Sequence, residues 1–253
     1  MKAIIFAGPS LPPAHRLILP GIDWRPPARQ GDVYRAALER PAIIGVVDGV
    51  FEVVPTVWHK EILWAMTQGI HLYGAASIGA LRAAELDAFG MVGIGRVYEA
   101  FRDGKLQDDD EVALLHGPEE VGYAPLTEAM VNVRATLEYA VQAGVIEQAN
   151  ATRLARIAKA IYYKQRTWSA IRRNVGLYSL SFWKTLAEQL PDMQVDLKRQ
   201  DARTMTCAIS AQLEAEVQPF VIRYRLATTA SWEAACQDVL PPRLPGRCDA
   251  LNS

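Results

Sequence analysis

The chain has 253 residues, half of them hydrophobic, and a formal net charge of -1 at pH 7. This length and composition are typical of a soluble globular protein with a substantial core, in one large domain or two small ones. No apolar run approaches the roughly 20 residues of a membrane-spanning helix, and the apolar core of MKAIIFAGPSLPP is too short for a signal peptide. We therefore expect a cytoplasmic protein with no membrane role.

The three cysteines, Cys207, Cys236 and Cys248, are widely spaced and form no CxxC pair. This pattern argues against both a disulfide framework and a structural zinc site, and we expect no bound metal.

Short β-branched apolar runs bounded by Gly or Pro occupy residues 3–7, 42–47 and 70–73, as in buried parallel strands. Helical patterns separate them at residues 32–40 and 57–68. This alternation predicts an α/β fold with a Rossmann-like parallel sheet in the N-terminal half. From about residue 127 the pattern is mostly helical, and residues 240–252 are predicted to be a loose tail. We place the boundary between an α/β core, residues 1–122, and a helical region, residues 123–253.

Ligands of such sheets gather beyond the carboxyl ends of the strands, where residues 8–10, Asp48 and residues 74–77 are expected to converge. The run GAASIGALRAAEL places Ser77 between a strand and a helix, with small residues on both sides. This arrangement resembles a nucleophile elbow, although alanine replaces the first glycine. The alternative is that Ser77 only caps the helix, because serine is a preferred N-cap residue.

A nucleophilic serine needs a base, and we consider Lys60 and His59. Lys60 would act if it is desolvated among apolar neighbours, but a surface lysine paired with an acid is the more common case. His59 would act with Asp48 as its orienting partner.

Further residues of this half have candidate roles. Ser10 is the rival nucleophile, or it shapes the pocket together with Gly8. The N–H groups near Ile78 and Gly79 are candidate oxyanion donors. Arg82 and Glu85, one helical turn apart, are predicted to form a supporting ion pair.

An acidic run and a pair of glycines are further motifs of this half. The run DDDE at residues 108–111 either binds a hard metal or a partner's arginines, or caps a helix. Gly93 and Gly95 form a GxG, but the third glycine of a dinucleotide fingerprint is missing and there is no phosphate-binding loop. We therefore expect no nucleotide cofactor.

Residues 148–187 contain no Asp or Glu but several Lys and Arg. Such a segment is usually a solvated helix face, yet it can bind an acidic partner. We favour a protein partner over nucleic acid, because no nucleic-acid-binding signature accompanies the charge. The candidate partner-binding residues are Arg153, Arg156, Lys159, Arg172 and Arg173.

The motifs FAGPSL, DGVFEVVPTVWHKEIL, YGAASIGALRAAELDAFGMVGIGRVYEAFRDG and DDDEVAL together closely resemble the TfuA-like family, in unbroken order over residues 3–116. The resemblance implies an accessory protein of YcaO enzymes, which replace a peptide amide oxygen with sulfur in a precursor peptide. It further implies hydrolysis of a thiocarboxylate at the C-terminus of a ThiS-like sulfur carrier by a serine-lysine pair. The matching residues here are Ser77 and Lys60.

Two other functions remain open. One is a non-catalytic scaffold that binds the YcaO enzyme and increases its affinity for the peptide. The other is a nucleotide-binding α/β protein that uses the Ser77 turn for phosphate.

Overall fold

The computed structural model describes residues 2–50, 54–175, 180–215 and 217–239. The predicted tail at residues 240–252, and Cys248 within it, lie outside these ranges. Within them, no helix combines the length and the apolar character that a membrane span requires.

The described part of the N-terminal half forms a five-stranded parallel sheet in the order β2-β1-β3-β4-β5. The strands are β1 (Ala3–Phe6), β2 (Ile22–Arg25), β3 (Ile43–Val46), β4 (His71–Ala75) and β5 (Val92–Ile94). The strands predicted at residues 3–7, 42–47 and 70–73 are confirmed. The edge strands β2 and β5 were not predicted, because β2 is only half-buried and β5 is three residues long.

The helices enclose this sheet and form a second cluster beside it. Their bounds are α1 (Asp32–Leu38), α2 (His59–Thr67), α3 (Ile78–Leu86), α4 (Arg96–Arg102), α5 (Met130–Gln142), α6 (Gln148–Ala160), α7 (Trp168–Asn174), α8 (Leu180–Met193), α9 (Leu197–Glu214) and α10 (Ala230–Val239). Both the α/β class and the mostly helical C-terminal half are confirmed.

The two faces of the sheet are covered by different parts of the chain. Helices α1, α2 and α3 bury their apolar sides against one face. Helix α9 covers the other face, where its Ala202, Met205 and Ile209 contact apolar residues of β1, β3 and β4. Helices α5 to α8 share a separate core. The α/β layer is thus completed by a helix from the C-terminal half, while the boundary at residue 122 stays a prediction.

The order of the strands determines where a ligand can bind. The chain runs from β1 to β2 on one side and then returns to β3 on the other side of β1. In open parallel sheets, the crevice beyond the carboxyl ends of two strands at such a reversal is the usual ligand site. Here that crevice lies beyond β1 and β3.

The turn from β4 into α3 packs directly on β3. A Cβ atom added to Gly79 would overlap the carbonyl oxygen of Val46, and one added to Gly74 would overlap the carbonyl oxygen of Gly79. Only glycine fits at these two positions, because the atoms in the way belong to the backbone and cannot rotate aside.

We expect Gly79→Ala to lower the free energy of unfolding by about 3 kcal/mol, since the β4–α3 turn must separate from β3. The matched control is Gly45→Ala, whose new methyl group would lie 3.0 Å from the side-chain ends of Met205 and Ile209. These ends can move, so a loss of about 1 kcal/mol is expected. Urea denaturation followed by circular dichroism measures both values, and equal losses would contradict this account of the turn.

Candidate active site

A cavity of about 600 Å³ lies at the carboxyl edge of the sheet, in the crevice beyond β1 and β3. Its lining includes Pro9 after β1, Asp48 and Gly49 after β3, and Ser77 and Ile78 after β4. The predicted convergence of these three loops is therefore confirmed. Residues 112–115 form an apolar wall of the cavity, and the lining also includes Lys198 of α9. The volume suits a small molecule or the end of an extended peptide.

The backbone around Ser77 is a sharp strand-to-helix turn. Ala76 has a φ of 67°, a left-handed conformation that is uncommon for a residue with a side chain. The positive φ thus falls on the residue before the serine. Non-glycine residues held in such conformations cluster at functional sites.

Ser77 occupies the N-cap position of α3, but its side chain accepts no hydrogen bond from the helix. Its hydroxyl makes no hydrogen bond with any residue that the structure describes. The capping role that we considered for Ser77 is therefore not the role it has in this structure. A buried hydroxyl that faces a cavity without a partner is available to a ligand.

Three other N–H clusters at this edge are occupied by carboxylates of the chain itself. Asp48 accepts hydrogen bonds from the N–H groups of Gly8 (2.8 Å) and Ser10 (2.9 Å). Glu61 accepts from three N–H groups at the start of α1, and Asp201 accepts from two at the start of α4. Burial raises the pKa of both Glu61 and Asp201, and the N–H donors oppose this shift.

The start of α3 differs from these three clusters. The N–H of Ile78, the first residue of α3, has no acceptor within the helix, and Ile78 lines the cavity. Together with the helix dipole, this N–H favours a negative charge beside Ser77.

Asp201 also explains the GxG of Gly93 and Gly95. The carboxylate of Asp201 lies so close to Gly95 that a Cβ atom there would overlap it. The N–H groups at the start of α4, which follow this GxG, are thus already bound by an acidic side chain of α9.

Lys198 is the buried basic group of the cavity lining, which also includes Arg29, His116 and Lys164. It is only 2 % exposed, and its Nζ donates a hydrogen bond to the carbonyl oxygen of Val112 at 2.7 Å. Burial lowers the pKa of Lys198, while the charges of Asp48 and Asp196 oppose this shift. A neutral lysine amine keeps a lone pair for a proton, so Lys198 has the properties of a general base.

The sequence reasoning missed Lys198, although the sequence contains a signal for it. Lys198 stands four residues before Ala202, which is followed at helical spacing by Met205 and Ile209. These three residues form the buried side of α9. A lysine on such an apolar stripe is a candidate for burial and therefore for a lowered pKa.

Lys60, the lysine implied by the family resemblance, does not line the cavity. Its Nζ donates to Thr229 Oγ1 at 3.2 Å, on the outer side of α2. His59 contacts Glu85 (2.8 Å) and is likewise not brought to Asp48 or Ser77. The ion pair predicted between Arg82 and Glu85 is present at 2.6 Å, beside His59 rather than in the cavity lining.

Of the remaining predicted pocket residues, several are engaged within the chain. The hydroxyl of Ser10 donates to Asp48 at 2.6 Å. The N–H of Gly8 donates to the same carboxylate, and the N–H of Gly79 donates to the Val47 carbonyl at 3.3 Å. Ile78 is thus the predicted oxyanion donor that lines the cavity and whose N–H makes no hydrogen bond with a described residue.

The acidic run at residues 108–111 binds part of the basic segment. Lys159 contacts Asp108, Asp110 and Glu111, while the buried Arg166 contacts Asp110 and Arg134 contacts Glu111. The chain's own cations therefore hold these carboxylates. No His, Cys, Asp or Glu cluster suited to a metal ion occurs in the ranges that the structure covers.

Unlike Lys159, the other candidate partner-binding residues are exposed and unpaired among the described residues. They lie exposed on α6 and α7 and form no ion pair with residues of known placement: Arg153, Arg156, Arg172 and Arg173.

A comparison with protein families finds one match, to the family described as TfuA-like protein, over residues 48–167. The match supports the assignment to the TfuA-like family that the sequence motifs suggest. The TfuA-like segment includes Asp48, Ser77, the apolar wall of the cavity and the acidic run, whereas Lys198 lies beyond it. No curated protein gives a significant match.

We expect Lys198→Met to raise the free energy of unfolding by about 1 to 3 kcal/mol at pH 7, because a buried amine with a lowered pKa opposes folding. Below the ordinary lysine pKa, the unfolded chain binds a proton at Lys198 more readily than the native state does. The free energy of unfolding of the wild type therefore rises as the pH increases from 7 towards that pKa. The advantage of the variant therefore shrinks as the pH approaches the ordinary lysine pKa.

Urea denaturation from about pH 7 to about pH 10 measures this difference. Lys60→Met, at a half-exposed lysine outside the cavity lining, serves as the control for the substitution itself. An advantage of Lys198→Met that stays constant over the range would contradict the lowered pKa.

Proposed function

We propose that this TfuA-like protein is a hydrolase that cleaves the C-terminal thiocarboxylate of a small ThiS-like sulfur-carrier protein and supplies the sulfide to a YcaO enzyme for peptide thioamidation. The observation that carries the proposal is the presence of the unpartnered Ser77 hydroxyl and the buried Lys198 in one cavity. The family match supports an accessory protein of this type. Lys198 takes the place that the resemblance gave to Lys60.

In the proposed reaction, neutral Lys198 accepts the hydroxyl proton of Ser77 while the Ser77 oxygen attacks the thiocarboxylate carbon. The C–S bond then breaks, and Lys198 returns the proton to sulfur, which leaves as hydrosulfide. The carrier remains as an ester on Ser77. Water then hydrolyses this ester, with Lys198 as the base, and releases the carrier as a carboxylate.

The two groups are not hydrogen-bonded to each other in this substrate-free structure, where Lys198 contacts Val112 instead. Catalytic hydrogen bonds often form only once substrate is bound. During attack, negative charge develops on the oxygen of the reacting carbon. The free N–H of Ile78 and the positive end of α3 stabilise that charge in the proposed site.

The shape of the cavity is compatible with a flexible carrier tail. Gly49 and Pro27 line one side of the cavity, and the apolar residues 112–115 line the other. Leu115, which lines the cavity, and Val121, which lies between two lining residues, are 38 % and 59 % exposed. Such side chains favour contact with a protein.

We expect Ser77→Ala and Lys198→Met each to lower the rate of sulfide release from a thiocarboxylated carrier by at least about 100-fold, because each removes a group that acts in the bond-making step. Lys60→Met and Ser10→Ala are the controls and are expected to stay within about threefold of the wild type, a small change on the scale of catalytic losses. A sulfide-specific assay on folded, purified variants measures the rates.

The variants also distinguish the alternatives. Loss of sulfide release in Lys60→Met, with release retained in Lys198→Met, would identify Lys60 as the base. Full release from Ser77→Ala would move the nucleophile elsewhere. No release even from the wild type would favour the non-catalytic scaffold.

The scaffold function is supported by a separate observation, the exposed arginines of α6 and α7. These guanidinium groups have no ion-pair partner among residues that the structure describes, so they are available to acidic groups of a YcaO partner. The scaffold and the hydrolase are compatible, because the arginines do not line the cavity.

We expect the double variant Arg153→Glu, Arg156→Glu to weaken binding to the YcaO enzyme by about tenfold or more, since it replaces attraction with repulsion. Sulfide release from the carrier stays unchanged. Isothermal titration calorimetry measures the affinity, and Arg203→Glu on exposed α9 surface is the matched charge control. Unchanged affinity in the double variant would place the YcaO interface elsewhere.

A further inference from the structure

A second, smaller cavity lies behind Lys198. We call it the inner chamber; its volume is about 270 Å³, and its lining includes Ser10, Glu128, Trp168, Asp196, Lys198 and Arg199. Lys198, Pro9 and Leu114 line both this chamber and the cavity that contains Ser77. The proposed base thus stands between the two spaces.

Two hydrogen-bond donors of the chamber lining have no partner. The Nε1 of Trp168 and the Nε of Arg199 are buried and make no hydrogen bond among the described residues. Nearly all buried donors in proteins are paired, so each unpaired one needs an explanation, and these two belong to residues that line a cavity with room for a group that accepts hydrogen bonds. Both side chains are donors only, since indole and guanidinium nitrogens have no acceptor capacity.

The acidic groups of the chamber are largely neutralised. Asp196 contacts the Nη2 of Arg199 at 2.9 Å and also accepts from the Arg199 N–H and from Asn132. Glu128 has its pKa raised by burial and by the charge of Asp196, so it is neutral over a wider pH range than an ordinary glutamate. The unpaired donors of Trp168 and Arg199, together with the amine of Lys198, are therefore the groups of the lining that favour an anion.

We infer that the inner chamber is a binding site for a small monovalent anion, and that this anion is the hydrosulfide released at Ser77. The inference rests on the proposed function for the identity of the anion. No bond forms or breaks in the chamber, because the hydrosulfide receives its proton from Lys198 as the C–S bond breaks. Binding in the inner chamber separates the hydrosulfide from the ester on Ser77. The cavity that contains Ser77 is then free for the carrier and for water.

The test uses the free protein, labelled with ¹⁵N, and sodium hydrosulfide as the probe under anaerobic conditions. The indole N–H signals are recorded during the titration, and Trp168→Phe assigns the signal of Trp168. That signal is expected to shift and saturate. The indole N–H of Trp183 is an internal control, because it is also buried without a partner among the described residues but Trp183 does not line the chamber.

Variants of the two arginines on α9 test the donor set. Arg199→Gln removes a charged donor and is expected to weaken hydrosulfide binding about tenfold. Arg203→Gln, at an exposed arginine of the same helix, is expected to leave the affinity unchanged. Equal effects of the two substitutions would overturn the assignment of Arg199.

The other outcomes separate this inference from the proposed function. Absence of a Trp168 shift would mean that only water occupies the chamber and would overturn the site, even if Ser77 releases sulfide. An equal response to sodium chloride would overturn the assignment to hydrosulfide. Loss of the proposed function would instead appear as sulfide release from Ser77→Ala, an assay that does not depend on binding in the chamber.

Discussion

The rest of the site depends on one feature, the burial of Lys198 where the start of α9 packs at the carboxyl edge of the sheet. An amine that is 2 % exposed holds a proton less readily than an ordinary lysine, and the packing of Ala202, Met205 and Ile209 on the sheet keeps it there. Packing of one helix therefore determines both the position and the basicity of the proposed base.

Carboxylates of the chain itself, one of them from α9, bind the other backbone N–H clusters at this edge of the sheet. Asp201 of α9 occupies the start of α4, Glu61 occupies the start of α1, and Asp48 binds the N–H groups of the β1 loop. Carboxylates at these positions satisfy backbone donors and interact favourably with the helix dipole. Ile78 lines the cavity, and its N–H has no acceptor among the described residues, so it is available for a negative charge that develops next to Ser77.

Much of the α/β layer follows from local pattern. The buried strands β1 and β3 are short runs rich in β-branched residues, and β4 is a short run that follows Ile70 and ends in small residues, so the sequence predicts them and the convergence of their following loops. The edge strand β2 lacks such a run, since it reads IDWR and is half-buried. The turn at Ser77 was predicted from its small residues, and the overlap of any Cβ at Gly79 with β3 explains why they are required.

The partner of Ser77 was much harder to predict, because it depends on contacts between distant parts of the chain. Lys198 follows Ser77 by more than a hundred residues and reaches the cavity only because α9 crosses the sheet. Lys60 is close to Ser77 in sequence, but α2 directs its amine to Thr229. The contacts of the acidic run at residues 108–111 were equally hard to predict, since its partners Lys159 and Arg166 come from a later helix and the turn after it.

The measurement that tests the account most directly is mass spectrometry of the protein mixed with thiocarboxylated carrier and quenched during the first turnover. The account predicts a covalent adduct with the mass of the carrier, linked as an ester to Ser77, that does not form in Lys198→Met. Sulfide release without an adduct on Ser77, or an adduct on another residue, would contradict it.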